Sequence, residues 1–195
     1  MTRPGPEILL SVERPGRYAG GEFGAVRPSD RPRPVGTICL VFPDVYEVGA
    51  GNLGLRILAA EVNAESDLLA ERAFAPWPDM AAAIETAGIP LGSIESGRPL
   101  RDFDVVGISL PHELAATAVL RVLTLGGIPP RASKRAQPDP IVLAGGGWAC
   151  HAAAVEPFFD ALFVGEGEGA LPAIVRETGE ARRRGEPREA LLERL

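Results

Sequence analysis

Short apolar runs closed by proline or glycine, alternating with stretches of helical periodicity, restrict the fold of this chain more than any other feature. Residues 37–42 (TICLVF) end in Pro43-Asp44, and 105–110 (VVGISL) lead into Pro111. Residues 141–144 (IVLA) run into Gly145-Gly146-Gly147, and 161–164 (ALFV) into Gly165-Glu166-Gly167-Glu168-Gly169. An apolar run of this length without polar alternation reads as a strand buried on both faces. Residues 68–74 are a fifth, weaker strand, broken by Ala75-Pro76. Between the strands, 52–63 carries apolar residues at 53, 55, 57, 58 and 62, with Asn52 as N-cap. Residues 77–87 suit a helix with Pro78 in its first turn and Gly88 closing it, and 113–125 suit another that ends at Gly126-Gly127. Strand and helix in alternation predict an α/β fold: an open parallel sheet with helices on both faces.

The flanks differ in texture. Residues 1–34 hold six prolines, five glycines and six arginines, which disfavour a packed helix or central strand and predict an irregular N-terminal arm. Within it, 8–12 (ILLSV) reads as a short edge strand lying over the domain. The division expected is an arm over 1–34, an α/β domain over 35–180 and a charged helical tail over 181–195. The helical pattern from 171 onward breaks off uncapped at REALLERL, which predicts a continuation into a further C-terminal part.

Composition narrows the chemistry. The 195 residues carry 20 Lys plus Arg against 26 Asp plus Glu, a net charge of −6, which argues against a nucleic-acid partner. No apolar run approaches the length of a membrane span, and the first residues lack the apolar core of a secretion signal, so a cytoplasmic protein without a membrane partner is expected. Cys39 and Cys150, the only cysteines, form no CxxC, zinc-knuckle or three-cysteine cluster motif, and two buried free thiols are expected. His112 and His151 read as capping or packing residues, and Trp77 and Trp148 as packing residues. Such a chain is poorly equipped to be catalytic alone.

In an open α/β sheet, ligands bind beyond the carboxyl ends of the strands. The segments to inspect are therefore 44–54, 109–113, 145–147 and 165–169, three of them glycine-rich, which admits a ligand close to the backbone. Gly49, Gly51 and Gly54 spell GxGxxG. However, the first glycine stands too far behind its strand, and no acid ends a second strand about 20 residues on, since Glu71 lies inside the candidate strand. That is a weak dinucleotide match. Glu166 and Glu168 are suited to hydrogen-bonding hydroxyls or amides of a ligand.

Longer strings carry a resemblance. Pro15-Gly16-Arg17-Tyr18 with Gly20-Gly21-Glu22, FPDVYEVG at 42–49, LGLRIL at 53–58, RAFAPWPDM at 72–80, RPLRDFDVVG at 98–107, the glycines at 145–147 and VGEGEGALP at 164–172 resemble one family. It is the N-terminal region of the B12-binding-domain-containing radical SAM proteins, and the resemblance runs from about residue 7 to 195.

The resemblance implies a flavodoxin-like, B12-binding-like sheet that carries cobalamin over its carboxyl edge and presents the corrinoid to a radical SAM domain, in cis or in trans. Asp44, Tyr46, Gly49, Asn52 and Gly54 would border the cofactor after the first strand. Ser109, Leu110 and Glu113 would do so after the middle one, Gly145, Gly146 and Gly147 after the next, and Gly165, Glu166 and Gly167 after the last. Tyr46 stands where a DxHxxG motif has its cobalt-ligating histidine, and a neutral phenol is a poor ligand beside imidazole, so no histidine ligation is expected from this motif. The [4Fe-4S] cluster and S-adenosylmethionine need a CxxxCxxC loop that this chain lacks, and so belong to a radical SAM domain elsewhere. Two other readings remain: an interaction or scaffold domain that has lost the corrinoid, marked by a pocket filled with its own side chains or by the N-terminal arm, and a flavin or nucleotide site in the same crevice.

Overall fold

The computed structural model describes residues 3–195. Five strands, β1 (Gly36–Phe42), β2 (Leu68–Phe74), β3 (Val105–Ser109), β4 (Ile141–Gly145) and β5 (Ala161–Leu162), form one parallel sheet in the order β2-β1-β3-β4-β5. This is the flavodoxin-like order, which reverses between β1 and β3 and opens a crevice there. Every residue of β1 is buried, as its uninterrupted apolar run requires.

The helices are α1 (Pro6–Ser11), α2 (Tyr46–Gly49), α3 (Leu53–Ala64), α4 (Pro78–Thr86), α5 (Ala116–Leu125), α6 (Ala170–Arg183) and α7 (Arg188–Leu192). Strand alternation divides the apolar residues between two cores. On one face Cys39, Val41, Val106, Ile108 and Val142 meet Met80 and Ile84 of α4 and Val119 and Leu123 of α5. On the other, Ile38, Leu40, Phe42, Val105 and Leu143 meet Leu55 and Val62 of α3 and Leu171 and Val175 of α6. Each fully buried aliphatic side chain contributes about 1.5–3 kcal/mol.

Local signals set the helix ends. The Asn52 side chain accepts a hydrogen bond from the Leu55 N–H at 2.8 Å, the N-cap expected of it. Pro78 opens α4, and Gly88 follows it at φ +64°. Helix α6 approaches β1 so closely that a Cβ at Gly179 would stand 2.0 Å from the Val35 carbonyl oxygen. Glycine to alanine inside a helix ordinarily gains up to about 1 kcal/mol. Gly179→Ala is expected to reverse that sign and cost about 1–3 kcal/mol, because backbone must move to admit the methyl. A urea titration comparing the two proteins checks this.

Several expectations need correction. Residues 8–12 are not an edge strand. Pro6 starts a helix there, with Glu7 in its first turn, and Ile8, Leu9 and the buried Val12 pack on the first core. The first two residues of the arm lie outside the described residues. The helix expected from 113 begins as a single 3-10 turn, Glu113–Ala115, before α5. Strand β5 is only two residues long, and the pattern from 171 breaks at Gly185 (φ +67°). Beyond that glycine α7 turns back onto the domain, where Leu191 is buried and the Arg188 guanidinium reaches Asp160 at 2.6 Å. Cys39 is buried but Cys150 is exposed, so only one of the two thiols is sequestered. His112 and His151 are both exposed, not packed; His112 stands at the N-cap position of the Glu113–Ala115 turn without a capping bond from its side chain. Trp77 is half-exposed under the Arg17 guanidinium, 5.2 Å from its ring centroid. No helix among the described residues is long and apolar enough to cross a membrane.

Candidate functional site

On the α3/α6 face, the middle of the sheet is not closed. Strand β3 lies between two neighbours and should be wholly buried, yet Gly107 and Ser109 are only half-buried, as is Gly145 beside them on β4. These residues alternate with buried Val106, Ile108 and Ala144, so they share one face. Above them lies a cavity of about 320 Å³. Its floor and walls are Leu40 and Phe42 of β1, Leu143 of β4, Leu55 and Leu58 of α3, and Leu171 and Ile174 of α6. Its mouth is made by the turns after the strands: Asn52 and Gly54, Leu110 and Pro111, Gly146 and Gly147, Phe163, Gly165 and Gly167. None of the lining residues carries a charge. The volume is at the lower end of the range for small-molecule sites, about 300–1,000 Å³.

Two of the mouth turns are clamped together. The Leu110 N–H donates to the Gly145 carbonyl at 2.7 Å, and the Trp148 N–H donates to the Leu110 carbonyl at 3.0 Å. Gly146 turns the chain there at φ +104°, a conformation that residues with a Cβ rarely adopt.

Of the residues expected from sequence, Asn52, Gly54, Ser109, Leu110, Gly145, Gly146, Gly147, Gly165 and Gly167 come together around this cavity. Asp44, Tyr46, Gly49, Glu113 and Glu166 do not line it. The Asp44 carboxylate accepts from the next backbone N–H, of Val45, at 2.7 Å. Gly49 is buried beneath Phe74, where a Cβ would stand 2.4 Å from the ring. Glu113 and Glu166 are exposed. Glu71 is fully buried and accepts from the Ser93 and Ser96 hydroxyls, so it is not available to a nucleotide ribose. The apolar wall residues were not singled out by sequence reasoning. A signal for them exists in Gly107, a glycine inside an otherwise apolar central strand, which marks a close approach of another group.

Tyr46 has another partner. Its hydroxyl donates to the Glu22 carboxylate of the arm, which also pairs with Arg72. Burial pushes the Glu22 carboxyl up, but the Tyr46 hydroxyl and Arg72 outweigh it and hold the carboxyl below its ordinary range. The Tyr46 phenol is raised, first by the bond to Glu22 and then by burial. A depressed carboxyl stabilises above its unfolded value of about 4.3 and loses that contribution as pH falls through the folded value. A raised phenol stabilises below about 10 and loses its contribution as pH rises through the folded value. The contribution of the Glu22–Tyr46 contact to holding the arm is therefore expected to be complete between about pH 5 and 9 and to weaken beyond both ends. Hydrogen exchange of amides 18–25, corrected for intrinsic rates, should show protection at about pH 7 that is reduced at about pH 3.

Comparison with known proteins decides the family. Residues 54–195 match the family described as radical SAM proteins, N-terminal. This chain belongs to that family. No curated protein matches it. The matched segment of this radical SAM N-terminal region includes α3 from its second residue on, β3, β4 and α6, and so supplies most of the cavity wall. Radical SAM proteins as a class use S-adenosylmethionine and an iron–sulfur cluster, so the family associates this chain with a radical SAM domain.

The cavity can be tested against the cofactor that the sequence resemblance implies. The nucleotide tail of cobalamin ends in dimethylbenzimidazole, a flat, neutral, apolar bicycle. An uncharged cavity with leucine and phenylalanine walls and glycines at 107 and 145 suits such a group. A side chain at Gly107 would meet the ends of Ile38 and Leu40 at 3.2 Å and occupy the cradle. The Tyr46 hydroxyl is engaged by Glu22, and Tyr46 does not line the cavity.

Proposed function

We propose that this domain is the cobalamin-binding module of a radical SAM protein. In this reading the cavity takes the nucleotide tail of the corrinoid, between Gly107 and Gly145 below and Leu55, Leu58, Leu171 and Ile174 on the helix side. The observation that carries it is the break in burial at the centre of the sheet, at Gly107, Ser109 and Gly145, beneath an uncharged cavity. When bound, cobalamin supplies a cobalt centre able to carry a methyl group. This chain's own part would be to hold the tail in the cavity and exclude water from it.

The same edge supports the partner in this reading. Val48 and Leu53 after β1, Leu114 after β3 and Val164 after β5 are exposed apolar side chains on the turns at that end of the sheet, with 51%, 66%, 79% and 66% exposure. In this reading these side chains serve association at that edge. The partner assigned to it is the radical SAM domain, which brings the [4Fe-4S] cluster and S-adenosylmethionine. The scaffold alternative expected a cavity filled by the protein's own side chains or by the arm. The cavity is open, and no described residue of the arm lines it.

Titration with aquocobalamin followed by visible absorption tests the reading. A saturable spectral change at one equivalent is expected, and Tyr46→Phe should leave the spectrum of the bound cofactor unchanged. No spectral change at micromolar protein, with no co-purifying corrinoid, would remove it. Equilibrium dialysis against flavin mononucleotide in place of cobalamin separates the flavin alternative.

A further inference from the structure

The arm touches no part of the cavity, yet it is tied to the cavity wall through an unbroken set of contacts. Arg3, Glu13 and Tyr18 tie it to Ile94, Asp79 and Trp77, and a further group of attachments meets at the loop after β1. The Glu47 carboxylate accepts from Arg14 at 3.1 Å and from Arg17 at 2.9 Å. Glu22 accepts from the Tyr46 hydroxyl and from Arg72 on β2. Arg72 is itself fixed by Glu95, which accepts from its backbone N–H at 2.7 Å and its Nε at 2.8 Å. Two carboxylates thus hold the Arg72 guanidinium, and one of them belongs to the arm.

From Tyr46 the contacts run inward. Its ring meets Phe74 edge-on, with centroids 5.4 Å apart and planes at 83°. Gly49 lies against the same Phe74 ring and against Phe42, where a Cβ would stand 2.4 and 2.9 Å away respectively. Phe42 lines the cavity. There is no slack in this stack: packed aromatic rings shift by discrete rearrangement, not by small deformation.

We infer that Glu22 and Tyr46 are positioning residues for the cavity: the arm, through the Glu22–Tyr46 bond, fixes the loop 44–49 and the Phe74 ring, and with them the Phe42 wall. Tyr46, at the motif position of a ligand, works on the cavity from outside it. The inference concerns the shape of the cavity and goes beyond the choice of cobalamin as its occupant.

The test uses the full chain and two probes, the neutral fluorophore N-phenyl-1-naphthylamine and aquocobalamin. Glu22→Ala and Tyr46→Phe are each expected to weaken binding of the fluorophore about tenfold, in the range of ordinary coupling between sites. The double variant should bind no more weakly than Glu22→Ala alone, because both changes remove the same bond. Glu22→Asp should restore part of the loss. Arg14→Ala with Arg17→Ala removes the arm's ion pairs to Glu47 without touching Tyr46 and should stay within about twofold of the parent protein. Melting temperatures of all variants separate lost stability from lost affinity. Fluorophore affinity equal to the parent's in Glu22→Ala and Tyr46→Phe, whatever their melting temperatures, would overturn the inference. So would additive effects in the double variant, or no fluorophore binding by the parent. A fluorophore response to these variants without any aquocobalamin binding supports the inference while removing the cobalamin reading.

Discussion

Gly107→Leu is expected to lower affinity for aquocobalamin at least a hundredfold while leaving the domain folded. A leucine at this position projects from the central strand into the cavity of about 320 Å³ on that face. Filling it removes the room for a flat group between the sheet and α3. The added side chain first meets Ile38 Cδ1 and Leu40 Cδ2, both 3.2 Å from its Cβ, and these are the free ends of flexible side chains that can give by a few tenths of an ångström. Glycine within a strand is itself destabilising by about 0.5–1 kcal/mol relative to alanine, so the substitution should not lower the urea midpoint by much. Unfolding and binding are then separable in one pair of titrations. Undiminished cobalamin affinity in a folded Gly107→Leu protein would show that the cavity is not where the cofactor is held.

The largest effect on stability is expected at Asp160. Its carboxylate is the shared acceptor for Arg135 at 2.9 Å, Arg188 at 2.6 Å and the Val142 backbone N–H at 2.7 Å. The Asp160 side chain is 2% exposed, and those of Arg135 and Arg188 are 0% and 9% exposed. Burial lowers the Arg135 pKa, with Asp160 acting against that shift. Asp160→Ala leaves two guanidinium groups without their counter-charge, and breaking a buried pair from one side typically costs about 3–5 kcal/mol. At about 2–4 °C per kcal/mol for a chain of this size, the melting temperature should fall by roughly 10 °C. Arg188→Ala should cost less, because Arg135 and Asp160 keep one another. Calorimetry of the two variants checks both the size and the order. A loss below about 1 kcal/mol for Asp160→Ala would mean that water reaches the arginines.

The sheet was legible because its strands are buried on both faces. Apolar runs such as 37–42 and 141–144 have no reading in this context except a central parallel strand, and the Asn52 cap and Pro78 fixed two helix starts. Residues 8–12 misled for a physical reason. Five residues with apolar character suit an edge strand or one turn and a half of helix equally well, and Pro6 at the first helical position decides between them. The glycine turns at 145–147 and 165–167 pointed to the end of the sheet where the cavity opens, since the rule for open α/β folds depends on topology alone. The apolar wall could not be read so easily. Leu58, Leu143 and Ile174 are in no way distinguishable in sequence from core residues, and only the neighbouring Gly107 leaves a space for them to face. The role of Tyr46 depends on Glu22, 24 positions away in an arm with no regular pattern, and no periodicity connects the two.

The unequal burial of the two cysteines has a practical consequence. Burial pushes the Cys39 thiol well above its ordinary range and encloses it between β2 and β3, so thiol reagents cannot reach it in the folded protein. Cys150 is exposed three residues beyond Gly147, which lines the mouth of the cavity, and its sulfur lies 3.0 Å from His151 Nδ1. The unaltered chain is therefore a ready-made single-label protein. A fluorophore or spin label attached at Cys150 would sit at the mouth and report occupancy of the cavity, and approach of a partner to that edge, without a single engineered residue.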